Sequence, residues 1–392
     1  MKDKLLGKNL TELKEAAASC GLKPFVGKQL AEWLYQKRVR DWDAMTNISK
    51  DSKARLQESF ELGTAAPTGE ALSSDGTRKY LFPVSESQAV ESVMIPDDDR
   101  KTLCVSSQAG CKMGCKFCMT GRQGWHGNLD TAEILNQFIS IDEAAELTNT
   151  VFMGMGEPMD NYDAVSRAIE VLTADWGFGW SPKRITVSTV GKKPELRMLV
   201  EKTNVHIAVS VHNAVHEERQ SLMPLEKIYQ IKDVMEMLSH YDFAHQRRLS
   251  VEYIMWNWFN DDITHAEALR EILPDEHVRV NLIRYHMIPG IEKLRTSRRY
   301  FEKGEEWELF GMKINTFGIE HDSTDCLGYC IDYLGQRFVL MTDCGSPNEE
   351  MEAYIRTANH LVIEANHDEQ MLLNGPYPTY LKERILSPRG HQ

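Results

Sequence analysis

Between Thr102 and residue 283 the chain alternates short apolar runs with longer segments of helical periodicity, and few folds accommodate that rhythm. Strands are predicted near 103–106, 150–153, 185–188, 205–211, 249–255 and 278–283, and helices at 130–146, 161–174, 194–202, 228–241 and 262–273. Each run is only a few residues long and nearly all apolar, as a strand buried on both faces requires. Repeated βα units of this kind predict a parallel sheet with helices on its outer face, curled into a partial or full barrel. Functional residues are then expected at the C-terminal ends of the strands.

The flanks read differently. Residues 9–19 and 27–38 have helical periodicity and polar starts, so a small helical module is predicted before residue 65. A turn-rich stretch from Gly63 to Gly76 leads into short strands at 79–82 and 90–95. After the βα region come a predicted helix near 298–311 and a strand at 313–317. Beyond them, Gly335-Gln336 is flanked by a hairpin pattern, followed by a helix near 349–358, a strand at 361–365 and a helix at 379–386. A junction is predicted near 316–318, giving domains 1–75, 76–316 and 317–392. A chain of 392 residues exceeds what one core usually organises.

Charge separates the two ends. Residues 1–60 carry 12 basic and 8 acidic side chains, a net of +4, whereas 317–392 carry 5 and 12, a net of -7. The whole chain is at -13, which argues against non-specific coating of nucleic acid and leaves room for a local basic face. No apolar run approaches the roughly 18 residues of a membrane span, and Met1-Lys2-Asp3-Lys4 does not lead into a secretory segment, so a cytoplasmic protein without membrane association is expected.

Four of the eight cysteines fall between Cys104 and Cys118, three between Cys326 and Cys344, and Cys20 stands alone as a small apolar helix residue. Cys111-Lys-Met-Gly-Cys115-Lys-Phe-Cys118 puts three thiols within eight residues, so one loop can wrap one inorganic cluster. Three ligands leave one iron of a 4Fe-4S cluster open to a substrate or cofactor. The alternatives are a zinc site completed by a distant residue, or unrelated core thiols, which the adjacent Gly and Lys disfavour.

The run from Thr102 through Gly121 resembles the cluster loop of radical S-adenosylmethionine enzymes, and more narrowly the RlmN/Cfr family of RNA adenosine methyltransferases. The resemblance extends over residues 5–316 through Val90-Glu91-Ser-Val-Met-Ile-Pro, Phe152-Met-Gly-Met-Gly156-Glu157-Pro158, Ile185-Thr-Val-Ser188, Val209-Ser210-Val211-His212-Asn213 and Val280-Asn281-Leu-Ile283. It implies an α/β fold: a partial (β/α) radical SAM barrel with an N-terminal helical accessory domain and a C-terminal α+β fragment. It also implies that Cys111, Cys115 and Cys118 ligate a 4Fe-4S cluster, and that Gly156, Glu157, Ser188, Ser210, Val211 and His212 hold S-adenosylmethionine. A glycine there admits close backbone approach, a carboxylate can hold the amino group, and strand-end hydroxyls can bond the carboxylate or ribose. Taken alone, Gly-Met-Gly-Glu-Pro could equally be a turn after a strand.

By the same resemblance Cys104 is a second catalytic cysteine that helps resolve a covalent RNA adduct, and Glu91 is a proton acceptor. Without it, Cys104 would be a buried strand thiol and Glu91 a surface carboxylate. The implied partners are 23S rRNA, tRNA and an electron donor such as flavodoxin or ferredoxin. The basic N-terminal module suits RNA docking, with Lys37, Arg38 and Arg40 beside Trp33, Tyr35 and Trp42; a solvated helix end over buried aromatics is the bland alternative.

Two departures stand out. The family carries a methyl-accepting cysteine in an Ala-Cys-Gly-type loop after the last barrel strand, and that loop is not recognisable; Cys326 and Cys330 are the substitutes the sequence offers. His286 occupies the place of a family Asn near the cofactor. Residues 318–392 instead resemble the C-terminal part of a YycJ/WalJ-like metallo-β-lactamase-fold hydrolase, in which His321, Asp343 and His391 would be metal ligands. The His-x-His-x-Asp-His cluster such a site also needs is missing, so no hydrolase activity is expected. A fragment of that fold should expose an apolar sheet face. The expected activity is methylation of adenosine C2 in RNA; the rivals are a protein that binds RNA and cleaves S-adenosylmethionine only, and a radical enzyme redirected to another substrate.

Overall fold

The computed structural model describes residues 2–387 apart from Glu86, Gln246, 275–276, Met287, 289–301, Phe310, 321–325, Asp343, 364–368 and 375–378. Six parallel strands form in the predicted places: β1 (Arg100–Cys104), β2 (Asn149–Phe152), β3 (Ile185–Thr189), β4 (His206–Ser210), β5 (Leu249–Met255) and β6 (Arg279–Arg284). The helices between them are α1 (Thr131–Ile139), α2 (Tyr162–Thr173), α3 (Lys193–Lys202), α4 (Ile231–Ser239) and α5 (Ile263–Ile272). Helix α1 starts on a capping box: the Asp130 carboxylate accepts from Glu133 N–H at 2.7 Å and the Glu133 carboxylate accepts from Asp130 N–H at 2.8 Å. It stops at Ile139, short of the predicted 146, where Ser140 caps it.

Beyond β1 the sheet continues through three antiparallel strands, Ala89–Asp97, Arg78–Pro83 and Gly69–Leu72, making nine in an open curve. Strand Gly69–Leu72, assigned from sequence to the first domain, is therefore the outer strand of the barrel sheet. The helical module (Leu10–Ser19, the continuous turns 25–36, and Lys50–Ser59) shares one apolar core with the barrel. Buried Tyr35 joins them: its hydroxyl donates to Lys8 O at 2.6 Å, and its ring meets the edge of Trp176 at 5.8 Å. Each Leu, Ile or Val closed inside this core contributes about 1.5–3 kcal/mol.

The compact units are Met1–Ser297 and Arg298–Gln392, so the division falls before the predicted 316–318. The reason is pairing. Strand Met312–Gly318, read from sequence as the end of the barrel, is antiparallel to Leu327–Tyr333. Within the stretch predicted as helix 298–311, Glu306–Leu309 is a strand on its other side, because Gly311 at φ +76° turns the chain back. The second unit is a five-stranded sheet completed by Gln336–Met341 and, in parallel, His360–Ile363, with helix Glu349–Thr357 as the crossover. Phe317 stacks on Tyr354 of that helix at 4.1 Å. On the edge strand His360–Ile363, three consecutive apolar residues, Leu361, Val362 and Ile363, are exposed; they alternate between the two sides of the sheet and do not form one apolar face.

Candidate active site at the barrel mouth

Side chains alternate between the faces of a strand, so register decides what meets on the barrel's concave face. Cys104 pairs with Val93 on one side and Val151 on the other, which puts Cys104 on the same face as Glu91, one pleat apart along the neighbouring strand. The same face carries Thr186 and Ser188 of β3, Ser210 of β4, Ser250 and Glu252 of β5 and Asn281 of β6. Four residues singled out in the sequence, Glu91, Cys104, Ser188 and Ser210, thus line one surface. Sequence reasoning missed Glu252, which accepts from Asn281 Nδ2 at 2.8 Å and from the Ser250 hydroxyl at 3.2 Å. Its signal was a charge inside the apolar run 249–255.

Glu91 is half-exposed and paired with Lys79 at 3.3 Å. The Cys104 thiol is pushed up to about 11 by burial, so it is protonated at neutral pH. Cys111, Cys115 and Cys118 lie on the loop that follows the short strand Gln108–Gly110. Gly110 makes the turn at φ +74°, and a Cβ there would sit 1.8 Å from Gly124 O, so only glycine fits. Burial pushes Cys111 to about 11 and Cys115 to about 12; the nearby Cys118 raises both further, and Cys111 adds to the rise at Cys115. Three thiols crowded in a low-dielectric pocket gain from a cationic iron centre that replaces their protons. Packed round them are Leu222, Met223, Trp256 and Tyr285, all buried, and among the described residues the Trp256 indole N–H has no hydrogen-bond partner, which leaves it as a donor for a bound group. These residues fit a three-cysteine iron–sulfur cluster. Among the described residues no three His, Cys, Asp or Glu side chains stand close enough to hold a single metal ion.

Loops after β1 and β2 are stitched together above the sheet. Met155 O accepts from Ser107 N–H at 2.8 Å, and the Ser106 hydroxyl accepts from Met155 N–H at 2.9 Å while donating to Glu91 O at 2.6 Å. Gly156, at φ +99°, allows this closeness; a Cβ there would come within 2.6 Å of Gln108 Cβ. The Glu157 carboxylate, expected to hold the cofactor's amino group, is instead committed inside the protein. It accepts from the Thr189 hydroxyl at 2.7 Å, Val190 N–H at 2.9 Å and Met159 N–H at 3.0 Å, joining the β2 loop to the β3 loop. Thr189, beside Ser188 in the quoted motif, was the residue missed there.

His212 is buried at φ +57°, with its Nδ1 accepting from Ile254 N–H at 3.2 Å and its ring edge-on to Phe117 of the cysteine loop at 4.9 Å. Burial, then the nearby Arg219 cation, holds its pKa down at about 3. The unfolded chain therefore binds a proton at this residue between pH 6.5 and 3 that the folded chain does not. His212 contributes stability above pH 6.5 that is lost as pH falls towards 3, up to about 4–5 kcal/mol. Glu157 has the opposite sign: burial raises it to about 7, so its contribution is present below pH 4.5 and lost as pH rises through 7, up to about 3 kcal/mol. The variant His212→Asn tolerates the left-handed backbone and keeps an acceptor for Ile254 N–H. Its urea midpoint should fall less steeply than the wild type's between pH 6.5 and 4; parallel curves would refute the assignment.

Val211 is fully buried and offers its carbonyl, not its side chain, to the site's surroundings: Arg219 Nε donates to it at 3.0 Å. His286 is exposed just past the end of β6. Cys330, a substitute methyl carrier by sequence, is fully buried in the second unit's own core with Cys344, and burial raises its thiol. A thiol closed in a sheet–helix interface cannot meet a substrate without opening that core, so this reading is corrected; Cys326 is partly exposed. His321, Asp343 and His391 lie outside the described residues. In the helical module the bland alternative holds for the aromatics, since Trp33 and Tyr35 are core residues, with Lys37 Nζ 3.7 Å from the Trp33 ring centroid.

Residues 4–62 match the model of the ribosomal RNA large subunit methyltransferase N-terminal domain, and residues 105–269 match that of the radical SAM superfamily. A probable dual-specificity RNA methyltransferase RlmN of Porphyromonas gingivalis strain W83 is 55% identical over 293 residues, 75% of this chain and 85% of the relative. The chain belongs to the RlmN family. A further RlmN, from Geotalea uraniireducens, is 39% identical over 72% of this chain and 82% of its own length. The crystal structure of a radical SAM methyltransferase from Sphaerobacter thermophilus superposes with a TM-score of 0.71 at 35% identity, covering 75% of this chain and 88% of that one. Like other RlmN-family radical SAM proteins, the chain uses a 4Fe-4S cluster and S-adenosylmethionine. No helix among the described residues is long and apolar enough to cross a membrane.

Proposed function

We propose that the protein methylates C2 of an adenosine in 23S rRNA, and in tRNA, with electrons from a flavodoxin- or ferredoxin-like donor in the cytoplasm. The observation that carries this reading is the coincidence, on one barrel mouth, of the three-cysteine loop, the Cys104–Glu91 pair and a polar concave face, in a chain 55% identical to a probable RlmN. Cys111, Cys115 and Cys118 hold the cluster, and the strand-end residues Ser188 and Ser210 with the loop residues Gly156 and His212 surround S-adenosylmethionine. When bound, these groups supply the methyl group and the radical that moves it.

The chain's own residues do the rest. Cys104, protonated at neutral pH and half-buried beside β2, keeps a proton and a masked nucleophile on the face where RNA enters. Glu91, one pleat away and more open, accepts a proton and is held by Lys79. Neutral His212 and the carboxyl group of Glu157 fix the loops through their hydrogen bonds to Ile254, Thr189, Val190 and Met159.

Burial of Cys330 and Cys344 favours a second reading, a protein that cleaves S-adenosylmethionine and binds RNA without completing transfer. The tail that replaces the family's methyl-carrier loop is read as derived from a metallo-β-lactamase-fold hydrolase, on its sequence motifs. The deciding experiment reconstitutes the cluster anaerobically, adds reductant, S-adenosylmethionine and unmodified ribosomal RNA, and quantifies 5′-deoxyadenosine and 2-methyladenosine by mass spectrometry. Both products are expected. Cys326→Ala should then abolish 2-methyladenosine and Cys330→Ala should not; 5′-deoxyadenosine alone from the wild type would establish the second reading.

A further inference from the structure

The loop that follows β5 holds an aromatic ring in a position that folding does not explain. Trp258 is 92% exposed, and its backbone is left-handed at φ +60°, a conformation that disfavours any residue with a Cβ and a bulky aromatic most of all. Among the described residues its ring packs against no other ring and carries no cation. Glycine would relieve the backbone, and a polar residue would suit the solvent. The turn is nonetheless fixed on every side. Trp258 N–H donates to Asp261 Oδ1 at 3.0 Å, and Trp256 N–H donates to Asn260 Oδ1 at 2.8 Å. Asn260 Nδ2 donates to Ile254 O at 2.8 Å and to His212 O at 2.6 Å, and the Phe259 ring meets Trp256 edge-on at 6.1 Å while Phe117 of the cysteine loop meets Trp256 at 5.2 Å. A rigid turn anchored to the cysteine loop thus presents one bare indole at the C-terminal face of the barrel. Strain kept by a surrounding structure that over-determines it marks a functional position.

We propose that Trp258 is a stacking platform for an unpaired base of the RNA substrate. The inference rests on the RNA reading given above and adds the residue and the kind of contact. A single isolated ring is too small for a protein-docking patch, which needs a contiguous apolar area of several hundred Å². It is sufficient for one base, because every base has a π-face and stacking needs no particular edge.

The test measures binding of fluorescein-labelled, unmodified 23S rRNA and tRNA transcripts to the reconstituted full chain by anisotropy, for wild type, Trp258→Phe and Trp258→Gly. The Gly variant should lose roughly 5- to 100-fold in affinity, the range of one stacked base, and Phe should stay within about threefold of wild type. Because glycine relaxes the φ +60° backbone, the Gly variant should also melt higher, by about 2–4 °C, so weaker binding cannot be ascribed to misfolding. Wild type that binds RNA with a Gly variant equal to it overturns the inference alone. Wild type that binds neither transcript overturns the RNA reading and the inference with it. A Gly variant that changes only self-association in sedimentation would show the ring to be a contact between copies and also overturn it.

Discussion

Cys118→Ala should leave a folded protein that assembles no intact cluster, and its reductive cleavage of S-adenosylmethionine should fall by about a thousandfold or more, to background. Cys118 is the apt position because it is partly exposed, at the N-terminal edge of the short helix Met119–Arg122, where its own N–H bonds Cys115 O at 3.1 Å through the backbone alone. Alanine keeps that bond and removes only the thiol. Iron and sulfide content and visible absorption after anaerobic reconstitution report the cluster directly, and Cys20→Ala, in a helix cap far from the loop in sequence, serves as the control with full content. A Cys118→Ala protein with full iron and undiminished 5′-deoxyadenosine formation would remove that cysteine from the ligand set.

The largest stability effect is expected at Arg219, a residue with no exposed surface. Its guanidinium forms an ion pair with buried Glu226 and donates to three backbone carbonyls: Val211 O at 3.0 Å, Val190 O at 3.0 Å and Ser210 O at 2.9 Å. It thereby ties the C-terminal ends of β3 and β4, where the loops proposed to surround the cofactor begin. Glu226 in turn accepts from Ile231 N–H at 3.0 Å and bonds His216 Nδ1 at 2.9 Å. Arg219→Met fills most of the space but leaves the buried Glu226 carboxylate without its cation and takes a donor from three backbone carbonyls, and should cost about 3–5 kcal/mol. Replacing both members of the pair with apolar residues should recover much of that loss, because the desolvated charge is then gone as well. Urea unfolding of the single and double variants at pH 7 measures both. A single variant within about 1 kcal/mol of wild type would show that the pair holds little together.

The βα rhythm and the cysteine loop were legible because both are local. A strand of alternating Ile and Val, such as Ile185–Thr189, is fixed by burial on its helix-facing side, and a three-thiol loop needs only the turns its own glycines supply. The same locality misled the reading at 298–318, where 306–309 and 312–318 could each pass for part of a last βα unit until Gly311 turned them into a hairpin. Short apolar runs do not declare their partners, and pairing with Leu327–Tyr333 moved the domain boundary.

The sequence by itself determined the βα order of the barrel, the spacing of the three loop cysteines and the strand-end positions of Cys104, Ser188 and Ser210. Tertiary structure alone decided what those residues touch. It turned the Glu157 carboxylate inward onto Thr189, closed Cys330 inside a second core, put Tyr35 in the seam between module and barrel, and left Trp258 bare. The physical reason is that burial and hydrogen-bond partnership come from residues far apart in the chain. Glu157 and Val190 are 33 residues apart, and Lys8 and Tyr35 are 27 apart. Side-chain type says what a group can do, and only packing against distant strands says whether it is free to do it.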